Sequence, residues 1–228
     1  MPRALRTCLL IPLFAALGFA ADAPDLDLFD GKSLTGWVVE GQKTYKDGDK
    51  DKPVWQARDG TISCVTDKGG YGFLRYEKKE FADFRLSLEY RFAKPTNPKR
   101  RGNSGIGIRT VPFDPKKSDK TRPSYAAYEI QLLDDADRPA SKGSTASLYR
   151  YVAPSEQAAK AAPEWNKIEI ECVGPRIKIT LNGKKVIDVD QTTIKEIKDK
   201  PLKGYVCLQN HGGKIDFKNV RIKEIKAK

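Results

Sequence analysis

Apolar and polar residues alternate in short runs along most of this chain, and Gly, Asn, Asp and Pro separate the runs. A period of two marks strands with one buried face. The stretch Phe81 to Phe92 is the cleanest case: Phe84, Leu86, Leu88 and Tyr90 point one way, and Arg85, Ser87, Glu89 and Arg91 the other. Asn166 to Val173 alternates through Ile168, Ile170 and Cys172, and Arg176 to Val189 reads as a hairpin closed by Asn182-Gly183. Shorter runs cover Leu26–Phe29, Gly36–Val39, Thr61–Val65 after the Asp59-Gly60 turn, Asn103–Arg109, Tyr128–Asp135, Ala146–Val152, Gly204–His211 and Ile215–Ile225. Ten or more short strands with no internal repeat and no linker predict an all-β sandwich or barrel.

Between the strands lie polar loops. Thr44 to Pro53 carries charges and one aromatic, Tyr45, and reads as a mobile loop. Ala93 to Gly102 and Val111 to Ala126 bracket the run Asn103–Arg109, and loops of that length inside a domain are commonly functional. Ser155 to Ala162 and Thr192 to Ile197 are the only segments that suggest helical turns. The glycine-rich stretch Gly69 to Leu74 has no strand–helix context, so it does not read as a phosphate loop.

The first twenty residues break the pattern. Arg3 and Arg6 precede an apolar run from Cys8 to Leu17 and the small residues Gly18 and Ala20. This reads as a secretory signal peptide, cleaved near Ala20, ahead of one domain over 21–228, and it predicts a periplasmic or secreted protein. The apolar run is too short for a transmembrane anchor. The formal charge is +12, and the lysines alternate with acids, as in KDGDKDK and IKEIKDK, which suits solvated faces better than a nucleic-acid surface. Three cysteines remain beyond the leader: Cys64, Cys172 and Cys207. Each lies in a strand-like run and reads as a buried thiol, and a Cys172–Cys207 disulfide is an option in an oxidising compartment. Their spacing does not suggest zinc. Asp134, Asp135 and Asp137 read as a solvated turn rather than a calcium cluster.

Candidate chemistry follows from the parity of three strands. In Asn103-Ser104-Gly105-Ile106-Gly107-Ile108-Arg109 the isoleucines share one face, and Asn103, Gly105, Gly107 and Arg109 the other. Two glycines within a strand mark a close approach by a ligand or by neighbouring chain. Glu129 and Gln131 oppose Ile130 and Leu132, and Gln209 and His211 oppose Val206 and Leu208. Arg109, Glu129, Gln131 and His211 are therefore expected to share one pocket. A plain cross-strand ion pair between Arg109 and Glu129, and a turn role for the lone His211, are the competing readings.

Eight motifs occur in order: LFDGKSLTGW, NSGIGIR, YEIQLLDD, SLYR, EWN, LNG, LQNHGG and FKNVRIKE. Together they resemble the family known as DUF1080 or the 3-keto-disaccharide hydrolase domain, also described as a 3-keto-glucoside lyase and 3-keto-2-hydroxyglucal hydratase. The run Tyr71-Gly72-Phe73-Leu74-Arg75 departs from the Leu-Trp-Thr type of that family. The resemblance implies a concanavalin A-like jelly roll of two antiparallel sheets. It also implies a carbohydrate substrate oxidised at C3 by a partner oxidoreductase, then cleaved by loss of the C2 proton, elimination at C1 and hydration. On this implication Glu129 and His211 are base and acid in either order, Arg109 stabilises the enolate or holds sugar hydroxyls, Asn103, Gln131 and Gln209 orient hydroxyls, and Tyr149 either stacks on a sugar face or packs in the core. No cofactor is implied, and a divalent metal is left open. A non-catalytic, lectin-like module is the alternative on the same fold. An ordinary glycosidase would need a second carboxylate facing Glu129, and Asp134 has the wrong parity.

Overall fold

The computed structural model describes residues 25–68, 70–95 and 101–226. The expected signal peptide, Met1 to Ala20, lies outside the described residues. The strands are β1 (Leu26–Asp27), β2 (Trp37–Gly41), β3 (Thr44–Asp47), β4 (Lys50–Pro53), β5 (Trp55–Arg58), β6 (Thr61–Cys64), β7 (Gly72–Tyr76), β8 (Phe84–Phe92), β9 (Asn103–Thr110), β10 (Tyr128–Leu133), β11 (Asn166–Val173), β12 (Arg176–Leu181), β13 (Lys184–Asp190), β14 (Tyr205–Asn210) and β15 (Ile215–Glu224). One antiparallel sheet runs β13-β12-β11-β8-β15-β6-β5, with β1 added beside β15, and a five-stranded sheet runs β10-β9-β14-β7-β2.

The core lies between these sheets, where the alternation put it. Phe84, Leu86, Leu88 and Tyr90 of β8, Ile168 and Ile170 of β11, and Phe217 and Ile222 of β15 meet Leu74, Ile106, Ile108, Ile130, Leu132, Val206 and Leu208 of the second sheet. Every one of these side chains is removed from water, the main term favouring the fold. A register shift in β15 between Lys218 and Arg221, with Asn219 at φ +52°, returns Val220 and Ile222 to the core after Phe217.

Several local expectations are corrected. Thr44 to Pro53 is a two-stranded ribbon, β3 paired with β4, in which Lys46 faces Asp51 across the ladder. Ala146 to Val152 is not a strand but a pair of turns tied to the edge of β10 by an isolated bridge between Ile130 and Leu148. Ser155 to Ala162 forms no helix, and Thr192 to Ile197 holds only the end of a 3-10 turn over Gln191–Thr193. The disulfide option is not realised. Cys172 lies in the inter-sheet core, whereas Cys207 lies on the opposite face of the second sheet against Phe73 and Phe113; both are free thiols. The aspartate turn is solvated only in part: Asp135 is buried and accepts the Thr145 amide (3.0 Å) and hydroxyl (2.7 Å), and the exposed Asp137 pairs with Arg101.

Candidate active site

The outer face of the five-stranded sheet carries the polar residues. In β9 and β10, Glu129 stands opposite Gly107 and Gln131 opposite Gly105, and in β14 Cys207 pairs with Gly107. Directly paired residues share a face, so Glu129, Gln131 and Gln209 project together away from Ile106, Ile130 and Leu208. The glycines make the room. A Cβ at Gly105 would lie 3.1 Å from Glu129 Cγ and 3.4 Å from Gln209 Oε1, and one at Gly107 would lie 2.4 Å from Cys207 Sγ. Gly105→Ala is therefore expected to push the Glu129 carboxylate by a few tenths of an ångström. Turnover should fall by about 10-fold with little change in Tm, a displacement cost in line with positioning effects.

A small pocket of about 60 Å³ opens on this face, lined by Tyr71, Asn103, Arg122, Ser124, Glu129, Gln131, Tyr149, Gln209 and His211. Three of the four residues expected to converge, Glu129, Gln131 and His211, are there. Asn103, Gln209 and Tyr149 join them. Arg109 does not. Between Gly107 and Thr110, β9 advances three residues while β14 advances two, from Cys207 to Tyr205. This bulge, with Arg109 at φ +54°, breaks the alternation. The Arg109 side chain is fully buried away from the pocket, donating to Ala82 O from Nη2 (2.8 Å) and Nε (3.2 Å), with Asp83 at 3.6 Å.

The pocket's guanidinium comes instead from Arg122, in the segment Val111–Ala126. That segment holds a 3-10 turn (Pro115–Lys117) and two short α-helical turns, α1 (Ser118–Thr121) and α2 (Pro123–Ala126), and α2 packs on β9 and β10. Arg122 precedes Pro123 and takes the extended backbone that proline imposes, φ −64° and ψ 131°. The segment is pinned from both ends. Phe113 packs edge-on against Phe73 with ring centroids 5.0 Å apart, and its amide donates to Glu40 Oε2 at 2.8 Å. Lys200 Nζ donates to Tyr125 O and Ala127 O, both at 2.6 Å, and the Tyr151 hydroxyl donates to Ser124 O at 2.9 Å. Arg122 then lies over the Tyr71 ring, 4.6 Å from its centroid. Sequence reasoning marked this loop as functional without naming Arg122 or Ser124. It also passed over Tyr71, whose parity with Phe73, opposite Leu74, was the available signal.

A relay of amides crosses the pocket. Gln131 Nε2 donates to Asn103 Oδ1 (2.9 Å), and Asn103 Nδ2 lies 3.0 Å from His211 Nδ1. His211 also meets the edge of Tyr71, with centroids 5.0 Å apart. Glu129 is 4 % exposed, and burial raises its pKa above the usual carboxylate value against the opposing pull of Gln209, Ser124 and Arg122. His211 is pushed down from the ordinary histidine value, first by desolvation and then by Arg122. Gln209 Oε1 and Arg122 Nε are buried with no hydrogen-bond partner among the described residues, so each is available to a ligand. Among the described residues no three His, Cys, Asp or Glu side chains cluster as a metal site.

The model of the 3-keto-alpha-glucoside-1,2-lyase-like domain matches residues 25–223. The chain belongs to that family. The solved structures agree on the fold. A candidate glycosyl hydrolase from Parabacteroides distasonis is 24 % identical with a TM-score of 0.66, over 89 % of this chain and 94 % of that one. The carbohydrate-binding module CBM66 from Bacillus subtilis is 16 % identical with a TM-score of 0.51, over 83 % and 96 %. The mannose- and calcium-bound lumenal domain of VIP36 is 10 % identical with a TM-score of 0.55, over 85 % and 84 %. No curated protein matches the chain. The fold is thus the concanavalin A-like β-sandwich that the motifs implied. In this member of the 3-keto-alpha-glucoside-1,2-lyase-like family, the motif residues Glu129 and His211 line one pocket, and the arginine beside them is Arg122. Among the described residues, no helix is long and apolar enough to cross a membrane.

Proposed function

We propose that this protein is an exported enzyme that cleaves 3-keto-glycosides by elimination and hydrates the product. The observation that supports it most is the carboxylate count. Glu129 is the only acidic residue lining the pocket among the described residues, whereas a two-carboxylate glycosidase needs a pair across the scissile bond. A 3-keto sugar removes that need, because the ketone acidifies the C2 hydrogen and one base suffices.

The geometry supports the following roles. With Asn103 Oδ1 taken by Gln131, it is the Asn103 N–H that faces His211 Nδ1. Nδ1 then accepts, and the neutral ring carries its proton on Nε2. His211 is the donor and Glu129 the base. Glu129 takes the C2 proton, the electron pair moves onto the C3 oxygen, and Arg122 stabilises that enolate. The C1–O bond breaks as the C1–C2 double bond forms, and His211 protonates the departing oxygen. Water adds at C1 and a proton returns to C2, giving the free 3-keto sugar. Gln131, Gln209 and Tyr149 hold the ring. A C3 oxidoreductase must supply the ketone.

The test is incubation with a panel of 3-keto-disaccharides. Release of monosaccharide or of 3-keto-2-hydroxyglucal is expected, and His211→Ala should lower the rate by about 10²-fold or more, as for loss of a general acid. Binding of unmodified glycans without turnover of any keto-sugar, unaffected by His211→Ala, would make the protein a carbohydrate-binding module instead.

A further inference from the structure

The rim of the pocket carries charge that this reaction does not use. Tyr125, at 45 % exposure, stands beside the opening on α2. Two guanidinium groups lie near its ring: Arg150 Cζ is 4.5 Å and Arg122 Cζ 5.7 Å from the ring centroid. Arg150 is exposed and follows Tyr149, which lines the pocket. Lys200, below the same ring's backbone, is held down to about 8 by burial and by Arg150.

Among the described residues, most arginines sit against acids. Arg75 pairs with Glu40, Arg85 with Glu171, Arg91 with Asp216 and Arg176 with Asp188. Among the described residues, Arg122, Arg150 and Lys200 pair with no carboxylate within 4 Å, although they lie together. Like charges gathered without counter-ions cost energy in the free protein, and an arriving anion relieves it. The inner pocket is the wrong place for that anion, because it would meet the Glu129 carboxylate. The rim's one neighbouring acid among the described residues is Glu196, which acts on Tyr151 and ion-pairs with none of these cations, and the rim offers an aromatic face beside guanidinium forks, which suit a planar carboxylate.

We propose that Tyr125, Arg150 and the outer side of Arg122 form a subsite for the leaving portion of the glycoside, and that this portion bears a carboxylate. Tyr125 stacks on the ring that carries the carboxylate, and Arg150 binds the charge. This rests on the reading of the inner pocket as the site of elimination.

The experiment compares 4-carboxyphenyl and 4-carbamoylphenyl 3-keto-α-glucosides, which match in shape and differ in charge. The wild-type kcat/KM ratio, acid over amide, is expected to be about 10 or more, carried mainly by KM and reduced by added salt. Arg150→Gln should bring the ratio near one, and Arg150→Glu should invert it. Comparing ratios across variants cancels the difference in leaving-group acidity. A wild-type ratio near one, or a ratio unmoved by either substitution, overturns the subsite even if both compounds are turned over. Calorimetry with the unoxidised 4-carboxyphenyl and 4-carbamoylphenyl α-glucosides needs no turnover. Tighter binding of the acid, lost in Arg150→Gln, upholds the subsite even where neither keto-glycoside reacts, and that pattern would defeat the elimination alone.

Discussion

Glu129→Gln is expected to lower kcat/KM toward a 3-keto-disaccharide by about 10³-fold while the protein folds as before. The substitution keeps the shape and the contacts of a side chain that is 4 % exposed, and removes only the capacity to take a proton. No other carboxylate lines the pocket to replace it among the described residues. The pH profile should carry the same signature. The base works only when ionised, and burial has raised its pKa, so the acidic limb of kcat/KM must fall above the ordinary glutamate value of 4.5. The sign for stability runs the other way from the sign for activity. A folded-state pKa above the unfolded one contributes stability that is present below the unfolded pKa and lost as pH rises through the folded pKa. At pH 7 the wild type therefore bears the cost of a buried charge, which glutamine does not. Glu129→Gln should melt higher than wild type at pH 7, and the gap should close as pH falls through the raised folded-state pKa toward the ordinary value of 4.5. A variant that keeps a tenth of the activity would remove Glu129 from the role of base.

Where alternation was unbroken, the sequence was a sufficient guide. β8 buries every second residue over nine positions, and Gln131, Gln209 and Glu129 stand on the face their parity assigned. Parity fails without warning at a bulge, because one extra residue reverses every later side chain and leaves no composition mark. Arg109 is that case: the run Ile108-Arg109-Thr110 holds no Gly, Asn or Pro to announce the left-handed residue at its centre. Arg122 was hidden for a different reason. The helical turns around it are four residues each, too short for a 3.6-residue period to show. Its place depends on contacts distant in sequence, Lys200 on Tyr125 O and Glu40 on the Phe113 amide. The β3–β4 ribbon was missed because its pattern is one of paired charges, Lys46 with Asp51 and Lys52 with Asp47, and not of apolar residues. Tyr149 reached the pocket although its strand did not form, since its amide still donates to Glu129 O at 2.9 Å.

The two arginines give the second large effect, and they should fail in opposite ways. Arg122→Ala is expected to lower kcat by about 10²- to 10³-fold, the usual cost of losing one fixed group that stabilises developing charge, with a Tm close to wild type because the side chain is half-buried and unpaired with any acid among the described residues. Arg122→Lys should recover little, since an ammonium cannot reproduce the fork that lies over Tyr71. Arg109→Ala should instead cost about 3 kcal/mol of stability, because it opens a cavity between the sheets and strips Ala82 O of both its donors. In a domain of this size that is a fall in Tm of roughly 6–12 °C. Activity per folded molecule should survive, measured below the lowered melting point, since Arg109 touches nothing in the pocket. The reverse pattern, a stable and inactive Arg109→Ala beside an active Arg122→Ala, would mean that β9 carries no bulge in solution and that the parity of Asn103 to Arg109 runs unbroken to the site. Melting curves and kcat on the same two preparations therefore decide which guanidinium faces the sugar, independently of what the sugar is.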